Sequence, residues 1–312
     1  MSALYQRVAL IGLGLIAGSM SHAIRAAGLA GEVVGTARSA ATRATAVEIG
    51  LVDRVVETSA DAVRGADLVV LAAPVGAMAQ IAAEIAPHLQ PGATVTDVGS
   101  VKRDVIAQVA PHLPANVHFI PGHPLAGTEH SGPRSGFADL FRGRYVLITP
   151  SADADNAARD RLVSLWHALG ARVEVMDPDH HDLVLAVTSH APHLIAYTMV
   201  GVADDLRRVT DSEVIKYSAA GFRDFTRIAA SDPIMWRDVF LSNKDATLEI
   251  LGRFTEELFA LQRAIRTGDG DLLEAYFTRT RAIRRGIVEA GQDTDAPDFG
   301  RGPARPAETD AP

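Results

Sequence analysis

Residues 120–132 read Ile-Pro-Gly-His-Pro-Leu-Ala-Gly-Thr-Glu-His-Ser-Gly, two histidines and a glutamate set among prolines and glycines. Proline removes a backbone donor and glycine loosens the chain, so the segment reads as a loop. A loop can aim side chains at a ligand. An imidazole titrates near neutrality and suits general base work, so His123 and His130 are both candidates, although a lone loop histidine is by default one satisfied by backbone. Ser100 follows an apolar run at 93–98, and a serine hydroxyl there could hydrogen-bond a substrate hydroxyl or cap the next helix. Further along lie His190 and His193, three apart and so on one helical face, and then Arg223, Arg227 and Arg237. His180, His181 and Asp182 could suggest a metal site with them, but no H-E-x-x-H pattern is present and no metal is expected.

A second group of residues suits a nucleotide. Gly12-Leu13-Gly14-Leu15-Ile16-Ala17 matches G-x-G-x-x-G/A, after a strand-like run (7–11) and before a helix-like one (19–27). Gly12 makes the tight turn, Gly14 lets backbone approach a pyrophosphate, and Ala17 keeps strand and helix close. Leu15 and Ile16 open the helix whose N-terminus faces the phosphates. Ala73 and Pro74, with Asp97 and Gly99, follow later strands and are counted with the same cofactor site. An NAD site usually carries Asp or Glu at the end of its second strand. Here Thr36, Arg38 and Ser39 stand instead, and an arginine flanked by hydroxyls suits a 2′-phosphate. NADP is therefore favoured. The alternative is that Arg38 stacks on adenine and NAD binds.

The elements that must position these groups alternate. Short apolar runs at 7–11, 32–36, 67–73, 93–98, 144–148 and 172–175 are separated by helix-like stretches such as 77–86. That order implies an α/β fold with a doubly wound parallel sheet of Rossmann type. After about 177 the strand signals stop, and 182–202, 243–267 and 271–290 read as helices. Asp269 or Asp271 could cap the last of them. The expected division is a dinucleotide-binding domain over 1–177, a helical substrate and dimerisation domain over 178–290, and a disordered Pro- and Asp-rich tail over 291–312.

Composition narrows the classes. The chain has 312 residues, enough for two domains, and 47% hydrophobic residues support a sizeable core. With 30 basic and 38 acidic residues the net charge is −8, which argues against general nucleic-acid binding. No apolar run approaches the roughly 20 residues of a membrane span, and no signal peptide is read at the N-terminus. Cysteine is absent, so thiolate chemistry is excluded and a cytoplasmic location is expected.

Taken together, GLGLIAGS, DVGSVK (97–102), GHPLAGTEHSG (122–132), SHAPH (189–193) and FTRIA…DPIMWR (225–237) resemble the prephenate and arogenate dehydrogenases of tyrosine biosynthesis. The resemblance spans about residues 7–290. It implies a Rossmann domain followed by a helical domain that forms a homodimer and completes the active site. The implied reaction is oxidative decarboxylation of prephenate, arogenate or both, with hydride passing to NAD(P). It makes His123 the catalytic histidine on the substrate 4-hydroxyl, with Ser100 beside it. It assigns Arg227 to a substrate carboxylate and His193 to substrate binding. Glu129 takes the place of the glutamate at the pocket entrance, next to Thr128; as a lone residue it also reads as a solvated carboxylate. Trp236 walls the pocket or sits in the core, and Lys102 is left without a role.

Three other readings compete with this one. A β-hydroxyacid dehydrogenase would place a catalytic lysine on the first substrate-domain helix, and 182–202 contains none. A sensor that binds NADPH without turnover would leave His123, Ser100 and Arg227 unexplained, and a purely structural dimer module would leave the GLGLIA turn unexplained. The chain has no room for a fused mutase or regulatory domain, so a monofunctional enzyme is expected.

Overall fold

A computed structural model describes residues 3–128, 130–210 and 219–289. Glu129 and the expected tail at 291–312 lie outside the described residues. The first strand, β1 (Tyr5–Ile11), is followed by helix α1 (Leu15–Ala26), then β2 (Ala30–Thr36), α2 (Ala40–Glu48), β3 (Arg54–Val55), α3 (Ser59–Val63) and β4 (Leu68–Leu71). Next come α4 (Met78–Ile85), β5 (Thr94–Asp97), α5 (Arg103–Val109) and β6 (His118–Phe119). These six strands form one parallel sheet in the order β3-β2-β1-β4-β5-β6. That is the doubly wound arrangement the alternating elements imply.

Strand alternation explains why both faces are covered. Val8 and Leu10 of β1, with Leu68 and Val70 of β4, pack into one cluster with Met20 and Ile24 of α1. Their neighbours Ala9, Ile11, Val69 and Leu71 point the other way, against Met78 and Ala82 of α4 and Val105 of α5. Side chains of period two therefore feed two separate cores.

The runs at 144–148 and 172–175 do not extend this sheet. A second, three-stranded sheet holds β7 (Gly122–Pro124), β8 (Tyr145–Ile148) and β9 (Arg172–Val175), with α6 (Asn156–Ala168) crossing between the last two. β7 runs antiparallel to β8, so part of the expected loop is a strand. It is an edge strand, the place where Pro124 costs no ladder bond.

The helical part begins earlier than its apolar periodicity suggests. α7 (Pro178–Leu185) starts at a proline, and Asp177 caps it by accepting from the Asp179 and His180 amides at 2.9 and 3.1 Å. A turn of π-helix over 186–190 joins it to α8 (Ala191–Thr210). The helices α9 (Ala220–Thr226) and α10 (Pro233–Ser242), which periodicity did not separate, precede α11 (Lys244–Thr267) and α12 (Gly270–Glu289). Asp269, rather than Asp271, caps α12 by accepting from the Leu272 amide at 3.0 Å.

By packing, the chain divides into compact units after Ile250. Trp236 and Val239 of α10 are buried in the same core as α4 and α5, which ties the helices from 178 onward to the sheet. The boundary read at 177 thus marks where strands end, not where packing breaks. The run Pro178–Leu206 is long and apolar enough, by length and composition alone, to cross a membrane. Its His181 and Asp182 are buried.

Candidate active site

The turn after β1 is shaped by its first glycine. Gly12 has φ +100°, and a Cβ there would collide with the Ala72 carbonyl, its carbon at 2.8 Å. Gly14 is the N-cap of α1 and a Cβ there would meet nothing within 4 Å. One glycine is thus required by the protein itself, whereas the other faces open space at a helix N-terminus. That is the geometry of an anion cradle, and it fits a dinucleotide pyrophosphate. Leu15 and Ile16 are half-buried in the first turn, and Ala17 is fully buried. Ala73 and Pro74 follow β4 beside Gly12. At the end of β2, Arg38 and Ser39 are exposed, and Ser39 caps α2. Thr36 is buried with its hydroxyl donating to the Val56 carbonyl at 2.8 Å, so that hydroxyl is committed inside the protein.

Asp97 and Lys102 are both fully buried and form an ion pair. Asp97 also accepts from the Gly99 amide at 2.8 Å and the Gly122 amide at 3.1 Å. Lys102 Nζ donates to the Gly122 carbonyl at 2.6 Å. The Asp97 carboxylate is therefore spent on the protein and not available to a cofactor. Gly122 is held at both its amide and its carbonyl, which fixes the backbone just before His123. Burial drives the Lys102 pKa down, against the upward pull of Asp97.

His123 lies on β7 and is 7% exposed. Its Nδ1 is 2.9 Å from His181 Nε2, and His181 Nδ1 is 2.8 Å from Asp182 Oδ1. Asp182 also accepts from the Lys102 amide at 2.7 Å (Oδ1) and the Arg103 amide at 3.0 Å (Oδ2). It caps α5 from 80 residues away, so Ser100 is not that helix's cap. Nor does Ser100 orient His123 here; His181 does. Among the described residues His123 Nε2 has no hydrogen-bond partner, and it is not one of the fully buried unpaired polar atoms. It is the ring nitrogen left open.

The electrostatics follow from burial. Desolvation, with His181, Lys102 and His190 adding to it, holds His123 well below 6.5. Desolvation likewise lowers His181, against a hydrogen bond to Asp182 that raises it. For Asp182, burial works upward, but the bonds from His181 and the Lys102 and Arg103 amides together outweigh it and keep the carboxyl ionised at neutral pH.

The helical residues converge on Trp236. His193 stacks on its ring at 3.8 Å and 26°, and His190 meets it edge-on at 6.0 Å. Trp236 is 6% exposed, so it serves as core as well as support. His190 is fully buried, with Asn243 Nδ2 donating to its Nδ1 at 3.0 Å and to the Asp182 carbonyl at 2.8 Å. Burial pushes its pKa down to about 4. His193 Nδ1 donates to the Ser189 carbonyl at 2.8 Å. Its pKa falls through burial, and Arg227 is near enough to push it further. Tyr197 donates to the Ser231 carbonyl at 2.8 Å, fastening α8 to the segment that carries Arg227. Thr128 is exposed and accepts from the His130 amide at 3.2 Å. Among the described residues no group of three or more His, Asp or Glu is placed to hold a metal ion.

Residues 20–175 match the prephenate dehydrogenase nucleotide-binding domain, and residues 177–279 match the prephenate dehydrogenase dimerization domain. The chain is 40% identical to a cyclohexadienyl dehydrogenase of Zymomonas mobilis, over 90% of this chain and 95% of that one. It is 31% identical to a prephenate dehydrogenase of Bacillus subtilis, over 92% of this chain and 77% of that one. Among solved structures, a prephenate dehydrogenase from A. aeolicus, in complex with hydroxyphenyl propionate and NAD+, superposes with a TM-score of 0.83 at 34% identity, covering 90% of this chain and 98% of that one. A glycine cradle, a buried histidine with one open nitrogen and matches along most of the length lead to one conclusion: this chain belongs to the prephenate dehydrogenase family.

Proposed function

We propose that the protein oxidatively decarboxylates prephenate, arogenate or both, giving 4-hydroxyphenylpyruvate or tyrosine, with His123 as the general base. The observation that carries this reading is the buried, neutral His123 with Nε2 open, held at the carboxyl edge of the sheet through Gly122 and Asp97. The sheet's carboxyl edge is where ligands bind in this fold. His123 Nε2 takes the proton of the substrate 4-hydroxyl as the carbonyl forms, a contribution of about 10²–10⁴-fold. When bound, the nicotinamide accepts the hydride from C4. The C1–carboxylate bond then breaks, carbon dioxide leaves, and its electron pair passes through the ring to the C4 oxygen, which takes the proton back from His123 as the ring becomes aromatic.

Arg227 pairs with a substrate carboxylate, and its guanidinium fork suits that role. His193 binds substrate beside it, supported by Trp236. Ser100 hydrogen-bonds the substrate hydroxyl, and Thr128 lies at the entrance; the expected role of Glu129 falls outside the described residues. Gly14, Leu15 and Ile16 hold the pyrophosphate at the helix N-terminus, and Gly12 and Ala17 shape the turn that presents it. NADP is the favoured cofactor, because Arg38 stands exposed at the end of β2 where a carboxylate would select NAD. The nucleotide is assigned to residues 1–177, and substrate completion and dimer formation to 178–290. Exposed apolar residues on α8 (Met199, Val202), α11 (Leu258, Phe259) and α12 (Phe277, Ile283) support a homodimer. Nothing in the proposed chemistry calls for a membrane or a nucleic acid, and the protein is expected to act in the cytoplasm.

Initial rates of nicotinamide reduction at 340 nm test the reading, with prephenate and arogenate each tried with NAD and NADP. Turnover in any mixture supports the dehydrogenase, and the faster dinucleotide decides the role of Arg38. Silence in all four, with dinucleotide bound, overturns it.

A further inference from the structure

His123 has two ring nitrogens, and only one tautomer leaves the open one able to accept a proton. The choice between them traces back to Asp182. Both of its oxygens receive backbone amides, Oδ1 from Lys102 and Oδ2 from Arg103, and amide N–H groups can only donate. Three donors on one buried carboxylate leave it an acceptor. His181 Nδ1, 2.8 Å from Oδ1, must then carry a proton and donate. In a neutral His181 the other nitrogen, Nε2, is an acceptor. It lies 2.9 Å from His123 Nδ1, which must therefore be the donor. The proton of neutral His123 sits on Nδ1, and Nε2 keeps its lone pair.

We propose that His181 and Asp182 are positioning residues: a buried relay that fixes the tautomer of His123 so that Nε2 is the proton-accepting atom. Neither touches the reacting atoms. The proposal rests on the reading of His123 as the base, and it adds why that base works from the correct nitrogen. The same relay stabilises the product state. Once His123 has gained the substrate proton, its Nδ1–H still donates to His181, with the Asp182 carboxylate at the far end. The other titratable groups facing this cluster are Lys102, whose charge Asp97 opposes, and the neutral His190, held by Asn243. A proton gained by His181 would reverse the chain, because its Nε2 would then donate to His123 and force the His123 proton onto Nε2. Protonation one residue away is thus as inactivating as protonation of His123 itself.

The test uses full-length protein with ¹⁵N-labelled histidine. At neutral pH the spectrum of the unsubstituted protein is expected to show His123 with Nδ1 protonated and Nε2 bare. A proton on Nε2 there overturns the relay without any variant being made. His181→Leu removes the acceptor at similar size, and is expected to give mixed tautomers and to lower kcat about tenfold or more with KM little changed. His181→Gln keeps a side-chain oxygen for the Nδ1 proton, and is expected to restore the tautomer and most of kcat. Equal losses in both variants, or an unshifted tautomer in the leucine variant, would show that His181 only fills space. Dinucleotide binding by each variant confirms that it has folded. The spectra decide the tautomer whether or not prephenate or arogenate is turned over, so failure of the relay and failure of the assigned reaction give different results.

Discussion

His123 is the proposed base and Arg227 the proposed partner of a substrate carboxylate. The base must be neutral to act, and burial lowers its pKa. The acid limb of kcat/KM should therefore lie below pH 6.5, with activity retained as pH falls through 6.5 and lost only beneath it. A limb at or above 6.5 would contradict a buried base. Replacing Arg227 with glutamine should remove a carboxylate partner at a cost of roughly 2–5 kcal/mol, seen as about a 30-fold or greater rise in KM. An unchanged KM would move the carboxylate elsewhere. His123 could be singled out only through the resemblance carried by GHPLAGTEHSG; its prolines and glycines alone suggested a loop, where the chain in fact forms β7. Lys102, His181 and Asp182 could not be singled out, since their partners lie far along the chain: Asp182 is 80 residues from the amide it caps, and His181 is 58 from His123. The adjacent His180-His181-Asp182 run was visible, but nothing local says that one histidine turns inward.

Elements show the division between what protein and ligand each require. Gly12→Ala should destabilise the protein itself, by about 1–3 kcal/mol for the backbone conformation and more for the collision with Ala72. Gly14→Ala meets no protein atom, so it should cost only what a poorer N-cap costs, about 1 kcal/mol or less. It should nonetheless weaken dinucleotide binding about tenfold or more, because the space it fills is the pyrophosphate's. Denaturation curves and dinucleotide titrations of the two variants check this pair, and an unweakened Gly14→Ala would remove the cradle from the account. Lys102→Met should cost about 3–5 kcal/mol by leaving Asp97 buried without its cation, and Asp97→Asn added to it should recover part of that loss. The parallel sheet was readable from alternation of strand and helix. The second sheet was not, because residues 122–124 are too short and too rich in glycine and proline to announce a strand, and an antiparallel partner 20-odd residues on leaves no local mark.

For the molecule as a whole, the buried histidines couple the site to stability. His123, His181 and His190 all titrate below 6.5 when folded. The unfolded chain binds protons near 6.5, so unfolding takes up protons below that pH. Stability is complete above about pH 6.5 and declines as pH falls toward the depressed values, about 4 for His190. Calorimetry across pH 7 to 4.5 should show a falling Tm, and a flat profile would contradict buried neutral imidazoles. Light scattering should give twice the chain's mass for the native protein, and charges placed at Leu258 and Phe259 together should shift it toward the monomer. The most direct test of the central claim is single-turnover hydride transfer by His123→Asn against the unsubstituted protein, with the better substrate and dinucleotide. The account predicts unchanged dinucleotide affinity and a chemical step slowed about 10²-fold or more. A step within about threefold of the original would show that another group accepts the proton.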